Sequence, residues 1–235
     1  MLVTKISVII PCYNEKNTIV QLINILNNIQ INKQIILVDD FSYDGTREII
    51  EKDLSNKVDK IIFHKKNLGK GACIKTAKEF ILGDIVIIQD ADLEYDPNDY
   101  NNLISPILEK KVNVVYGSRV LNKNAIADKS FISNFRIFGN YLLTKFSNLI
   151  NNQTLTDAHT CYKVFTKEVF NKIVLKENGF NFCPEITTKL AILNEEILEI
   201  PINYTGRSIE QGKKIRFWHA VEAIYTLAKY KFFKK

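Results

Sequence analysis

The first half of the chain alternates short, continuous apolar runs with segments of helical periodicity. KISVII, QIILVD, KIIFH, DIVIIQD and NVVYGS are runs rich in β-branched residues. After the first of them, Ile19, Leu22, Ile23, Leu26 and Ile29 recur at the spacing of one helix face. Strands that are apolar on both sides, alternating with helices, predict βαβ units. The fold class is therefore α/β: a mostly parallel, Rossmann-like sheet covered by helices on both faces. Crossovers in such a sheet are right-handed, and ligands gather beyond the strand C-terminal ends. The second half is less regular and reads as an elaboration of the same domain, 1–235, with no linker between the halves 1–119 and 120–235.

The polar residues sit where that rule wants them. Pro11-Cys12-Tyr13-Asn14-Glu15 follows the first run, Asp39-Asp40 ends the second, and Asn67-Leu68-Gly69-Lys70-Gly71 follows the third. Asp90-Ala91-Asp92-Leu93-Glu94 follows the fourth and Gly117-Ser118-Arg119 the fifth. Asp90 and Asp92 share one side of an extended segment and can hold one hard divalent cation, with Glu94 as a third oxygen ligand. A cation there bridges two phosphates and stabilises a leaving diphosphate. An isolated D-x-D is more often a solvated acidic turn; its position on this rim is what favours the metal. Asp40 is placed to accept hydrogen bonds from a base or ribose. Asp44 and Thr46 read as the cap of a helix start. The Gly69-Lys70-Gly71 turn suits close backbone approach and phosphate at a helix N-terminus, but Walker A spacing is absent.

Two later segments are amphipathic. Ser133, Arg136, Asn140, Thr144 and Ser147 fall on one helical face, and Phe131, Phe135, Phe138, Leu142, Phe146 and Leu149 on another. This is either a surface helix packed on its own domain or a helix against lipid, with Arg136 and Asn140 offering donors to an anion. In the C-terminal helix, Phe217, Trp218, Val221, Ile224, Tyr225, Ala228 and Phe232 make an apolar stripe. Lys213, Lys214, Arg216, Lys229, Lys231, Lys234 and Lys235 surround it. That composition suits a membrane interface or a packed helix with a basic face.

Composition narrows the classes. With 235 residues and 46% hydrophobic positions, the chain can bury a core without staples. No 18-residue run is free of charged and strongly polar residues, which excludes a polytopic membrane protein. The four cysteines form no CxxC pair and read as buried thiols in a reducing compartment. With no secretory pattern at the N-terminus, a cytoplasmic protein is expected. The net charge of +6 favours acidic partners, yet no nucleic-acid recognition motif is visible. The three histidines lack metal or triad spacing.

As an ordered set, SVIIPCYNE, ILVDDFSYDGT, KNLGKGACIKTA, IQDADLEYDP and VVYGSR resemble the family 2 glycosyltransferases of GT-A fold. Within them, the chain looks most like the polyprenyl-phosphate, dolichol-phosphate mannosyltransferase-like group. The likeness continues more loosely through Asp157-x-x-Thr160-Cys161-Tyr162-Lys163, Phe182-x-x-Glu185 and Tyr204-x-x-Arg207. It implies a GDP- or UDP-hexose donor and an inverting, metal-dependent transfer to a polyprenyl phosphate. It puts Pro11, Tyr13 and Glu15 around base and ribose, Asp40 on the base, and Lys70 near the nucleotide. Asp90, Asp92 and Glu94 would hold Mg²⁺ or Mn²⁺. Arg119, Arg136 and Asn140 match acceptor-phosphate positions, and Arg207 or Lys213 fits the same role. Asn140 stands where Ser is usual and Cys161-Tyr162 where Gly-Phe is usual. A lipid phosphate is already ionised and needs cations rather than a base. A hydroxyl acceptor in surface polysaccharide synthesis would need one, and Asp157 and Glu185 are the candidate catalytic bases. A non-catalytic nucleotide-sugar-binding protein is the remaining alternative. The expected location is the cytoplasm, peripheral on the inner membrane face, with a homo-oligomer or membrane partner protein allowed.

Overall fold

A computed structural model describes residues 4–122, 131–207 and 218–233, with the backbone alone described for 131–137 and 218. The five apolar runs form β1 (Ile6–Cys12), β2 (Lys33–Asp39), β3 (Lys60–Phe63), β4 (Ile85–Ile88) and β5 (Val114–Ser118). Every residue of β4 and β5 is buried, which is why these runs are apolar without alternation. β6 (Lys163–Thr166) and β7 (Ile197–Pro201) complete a seven-stranded sheet in the order β3-β2-β1-β4-β6-β5-β7.

The strand directions assemble the rim. β1 runs parallel to β2 and β4, β2 to β3, and β5 to β7. β6 alone is antiparallel, pairing with β4 and β5. Its N-terminal end, with the segment 155–162 before it, therefore reaches the same rim as the C-terminal ends of the other strands. β7, parallel to β5, delivers 202–207 there too.

The helices α1 (Ile19–Asn28), α2 (Thr46–Asp53), α3 (Lys70–Lys78) and α4 (Tyr100–Leu108) flank the sheet. α1 buries Ile19, Leu22, Ile23 and Leu26, the face read from periodicity, and ends before Ile29, whose backbone is extended. α2 starts as its cap residues suggest, with Thr46 N–H donating to Asp44 Oδ1 at 3.0 Å. α3 begins at Lys70 behind Gly69, whose φ is +97°. A Cβ at Gly69 would also lie 2.5 Å from the Asn178 carbonyl oxygen, so the turn accepts only glycine. The remaining helices are α5 (Phe131–Asn151), α6 (Lys167–Lys172), α7 (Phe182–Ile192) and α8 (Trp218–Ala228). All four cysteines are buried free thiols.

α5 packs in the opposite sense from an ordinary amphipathic helix. Thr144, Ser147 and Asn151 face inward and are buried, whereas Phe138, Leu142 and Leu149 are 56, 50 and 80% exposed. Polar partners on the rim segment and on α7 explain the inversion: Thr144 Oγ1 accepts from Ala158 N–H at 3.3 Å, and Asn151 Nδ2 donates to Thr188 Oγ1 at 3.3 Å. α8 packs beside α5 and α7 through Ala223, Thr226 and Leu227, leaving Val221, Ile224 and Tyr225 of the sequence stripe outward. Phe217, Lys213, Lys214, Arg216, Lys234 and Lys235 lie outside the described residues, as do the side chains of Phe131, Ser133, Phe135, Arg136 and Trp218.

Candidate active site

The acidic end of the rim is built by β4, β1 and the segment after β7. Asp90 lies just past β4 and pairs with Lys70 Nζ, which also reaches Cys161 Sγ at 3.1 Å. Lys70 is drawn there from the start of α3, and Cys161 arrives because β6 runs backwards. Asp92 Oδ2 accepts from Arg207 Nη2 at 3.0 Å. The same guanidinium donates to both carboxylate oxygens of Glu15, at 2.9 and 3.2 Å. Glu94 accepts the Arg207 backbone N–H at 2.8 Å and the Tyr204 hydroxyl at 2.7 Å. Burial, reinforced by the charges of Asp90 and Glu94, pushes the Asp92 carboxyl up to about 7 against the pull of Arg207. A cavity of about 680 Å³ opens here, lined by Asp92, Glu15 and Arg207 together with Asn14 and Asp44.

Hard carboxylate oxygens suit Mg²⁺ or Mn²⁺. The cluster already binds one cation, the Arg207 guanidinium, whose buried Nε has no hydrogen-bond partner. Asp90, Asp92 and Glu94 therefore fit a divalent ion chemically. They are not gathered on one point: among the described residues, the metal-type donors within 4.8 Å of one another belong to Asp40, His64 and Cys73. That buried trio has other work. Asp40 accepts from the Leu68 and Gly69 N–H groups at 2.9 and 2.7 Å and pairs with His64 Nδ1 at 2.7 Å. His64 Nε2 meets Thr76 Oγ1 at 3.0 Å, and burial pushes the Cys73 thiol far up. The thiol stays protonated, and Asp40 pins the 67–70 turn.

Asp40, expected on the base, is buried at the end of β2 and bonded within the protein to the Leu68 and Gly69 N–H groups and to His64. Glu15, expected near base and ribose, lines the cavity, clasps Arg207 and receives the Thr18 hydroxyl at 3.0 Å. Pro11 lies within β1, and Tyr13, just past it, meets the Tyr43 ring edge-on, with centroids 6.1 Å apart.

The second end of the rim joins β5, α5 and the segment before β6. Asp157 is fully buried, and its carboxylate is enclosed by donors. Arg119 gives it Nε at 2.6 Å, Nη2 at 2.8 Å and its backbone N–H at 3.2 Å. Asn140 adds Nδ2 at 3.1 Å. Burial alone would raise its pKa, but the Arg119 charge and these hydrogen bonds outweigh it and hold the group at about 2. Glu199 of β7 holds the loop from behind, accepting the Thr156 and Asp157 N–H groups at 2.7 and 2.9 Å. The Arg119 guanidinium also lies 5.2 Å from the Tyr204 ring centre, so Tyr204 ties the two ends of the rim together. Sequence reasoning missed Glu199 and the bridging role of Tyr204, because both contacts follow from strand order.

Glu185 stands elsewhere. Its buried carboxylate accepts the Lys176 and Glu177 N–H groups at 2.7 and 2.9 Å and pairs with Lys189 at 2.5 Å. It anchors the loop before α7. Arg136 sits one helical turn before Asn140, with its side chain outside the described residues, as is Lys213.

A mostly parallel sheet with an acidic D-x-D at its rim defines the GT-A class of nucleotide-sugar enzymes. The chain belongs to glycosyl transferase family 2, whose model matches residues 7–174, and it is a glycosyltransferase. It is 30% identical to a UDP-N-acetylglucosamine–dolichyl-phosphate N-acetylglucosaminyltransferase of Methanococcus voltae, covering 89% of this chain and 90% of that one. It is 27% identical to a dolichol-phosphate mannosyltransferase of Pyrococcus furiosus, over 96% of this chain and 64% of the relative. It matches the low-salt glycan biosynthesis hexosyltransferase Agl6 of Haloferax volcanii at 28% identity, over 87% of this chain but only 49% of that longer protein. Glucosyl-3-phosphoglycerate synthase of Mycobacterium tuberculosis, crystallised with Mg²⁺ and UDP, shares the fold at a TM-score of 0.71 and 16% identity, covering 97% of this chain and 79% of that chain.

Proposed function

We propose that this enzyme moves a hexose, with inversion, from a nucleotide-diphosphate sugar to a polyprenyl phosphate at a membrane face. The observation that carries the acceptor is the state of Asp157. An inverting transfer to a hydroxyl needs a base to take its proton. Asp157 is held ionised and enclosed by Arg119 and Asn140, and Glu185 is anchored away from the rim. What this end offers is a rigidly placed guanidinium, the group that grips a phosphate with parallel hydrogen bonds. A phosphate acceptor is already a nucleophile at pH 7. The dolichyl-phosphate substrates in the names of two relatives support the same reading.

On the donor side, Asp90, Asp92 and Glu94 would hold the divalent cation, which offsets diphosphate charge as the glycosidic bond breaks. Lys70 and Arg207 then exchange their carboxylate partners for phosphate oxygens. The test is transfer of radiolabelled sugar from UDP- and GDP-hexoses to polyprenyl phosphate, with Mn²⁺ or Mg²⁺ present. Label should enter the organic phase as an acid-labile glycosyl phosphate. Transfer to sugar hydroxyls alone would overturn the acceptor assignment.

The inverted packing of α5 supports the membrane reading. No described helix is long and apolar enough to cross a membrane. The outward residues of α5 and α8, Phe138, Leu142, Leu149, Val221 and Tyr225 among them, form an apolar surface. The segments 129–151 and 212–235 that carry it hold three and seven basic residues against one acid, Glu222. An apolar face carried by segments of basic sequence suits an anionic bilayer. The protein should sediment with vesicles containing phosphatidylglycerol, and the double variant Leu142→Glu/Tyr225→Glu should stay in the supernatant with an unchanged melting point. Lipid-free dimerisation that these two changes abolish, without vesicle binding, would assign the face to a second copy of the chain instead.

A further inference from the structure

The Gly69-Lys70-Gly71 turn rests on a second segment, residues 176–182, at the entrance to α7. A Cβ at Gly71 would lie 2.5 Å from the Glu177 carbonyl oxygen, as one at Gly69 would from that of Asn178. Ala72 N–H, in the first turn of α3, donates to the Asn178 carbonyl at 3.0 Å. Lys75 Nζ donates to the Lys176 carbonyl at 3.1 Å and also to Asn178 Oδ1. The Phe182 ring centre lies 5.5 Å from Lys70 Nζ. Backbone packed this closely on backbone transmits its position. Where residues 176–182 stand therefore decides where Lys70 stands, and with it the reach of Lys70 toward Asp90.

That segment is fixed from two sides. From within, Glu185 accepts its Lys176 and Glu177 N–H groups. From outside, the Glu177 side chain is held by the turn after α8. Glu177 Oε1 accepts Lys229 Nζ at 2.5 Å and the Tyr230 hydroxyl at 2.8 Å. Both donors belong to Lys229–Phe233, a π-helical turn. Such wide turns are rare and recur at functional sites. Tyr230 is buried, and its ring centre lies 4.5 Å from the Nζ of Lys189, the residue that pairs with Glu185. The inner and outer anchors thus meet. Burial alone would raise the Glu177 pKa, but the bonds from Lys229 and Tyr230 hold it below the ordinary glutamate value.

We propose that Glu177, held by Lys229 and Tyr230, is a positioning residue for Lys70, so that the end of the C-terminal helix sets the grip of the donor site on a diphosphate. The proposal rests on the nucleotide-sugar reading above, in which Lys70 exchanges Asp90 for a phosphate oxygen. A charge-assisted hydrogen bond weakens steeply when its donor is displaced. The clamped segment under the turn prevents that displacement.

Calorimetry with UDP and GDP in Mn²⁺ reads this grip directly. Lys70→Met should raise the nucleotide Kd at least about tenfold, the loss of one charge-assisted hydrogen bond. Glu177→Ala should raise it at least about fivefold in the wild-type background, and less than about twofold once Lys70 is replaced by methionine. A residue that only stabilises the fold would cost the same factor in both backgrounds. The pair Lys229→Met/Tyr230→Phe leaves Glu177 in place, removes its donors and should reproduce the alanine effect. Should Glu177→Ala not fold, this pair decides by the same criterion. A wild-type-background effect below about fivefold, or one above about twofold beside Lys70→Met, overturns the positioning role and leaves the nucleotide reading standing. Lys70→Met that binds as tightly as wild type overturns it as well. Wild-type protein that binds neither nucleotide overturns the proposal together with the nucleotide-sugar reading.

Discussion

Asp92→Asn should lower sugar transfer by about three orders of magnitude, since a lost cation ligand removes several kcal/mol of charge stabilisation and each 1.36 kcal/mol is tenfold in rate. The fold should survive the change. Arg207 keeps its two bonds to Glu15 and its link to Glu94, and the new amide has nearly the same shape. Stability should move the other way from activity. The Asp92 carboxyl titrates near 7 in the folded protein, well above about 3.9 for an unfolded aspartate. A raised acid pKa means that the folded state binds the proton more tightly. Ionised Asp92 therefore costs stability, and the cost grows as pH rises from about 4 to 7. At pH 8 the asparagine variant should melt no lower than wild type, and at pH 4 the advantage should vanish. Turnover within tenfold of wild type at saturating Mn²⁺ would remove Asp92 from the donor site.

Asp157→Asn should cost about a hundredfold in kcat/KM for the acceptor, through loss of Arg119 positioning rather than of a base. The effect should fall on acceptor KM, with donor binding intact and the pH profile of kcat unchanged between pH 6 and 9. A base at this site would give the opposite split, a collapse of kcat and a changed profile. The coupling can be isolated. Arg119→Lys cannot reproduce the two-pronged contact, so adding Asp157→Asn to it should cost far less than in the wild-type background. Stability carries a second signature. Asp157 is held at about 2 in the folded protein, below its unfolded value, so its contribution is present above about pH 4 and is lost as pH falls toward 2. The asparagine variant should lack that acid-dependent loss and be less stable at neutral pH, since it leaves the Arg119 charge without its partner.

Much of the first half of the chain was legible because its information is local. A short, continuous β-branched run such as Ile85–Ile88, bounded by polar residues, reads as a strand buried on both sides, and the residues just past such a strand lie on the rim. That places Tyr13, Asp40, Asp90 and Asp92 without any knowledge of neighbours. What those side chains touch was not legible. Asp40 looks from the sequence like a free carboxylate at a nucleotide site, but its oxygens meet backbone N–H groups of Leu68 and Gly69, 28 and 29 residues on. Asp157 and Glu185 look like interchangeable acids, and only their partners separate a positioning residue beside Arg119 from a loop anchor beside Lys189.

The amphipathic helices show the same division. Periodicity divided α5 into a polar and an apolar face, yet it carries no sign for inside and outside. Thr144 and Ser147 are buried beside polar partners, Ala158 of the segment before β6 and Asn151 of α5, and Phe138, Leu142 and Leu149 are left outward. By itself, then, the sequence determined the first five strands, the rim beyond their ends and the chemical types of residue gathered there, since each depends on spacing within one segment. The tertiary structure decided which acid is paired, which is buried and which way each helix faces. Those outcomes depend on the single antiparallel strand β6 and on β7, which bring residues 157, 199, 204 and 207 to a rim that the first half of the chain had already built.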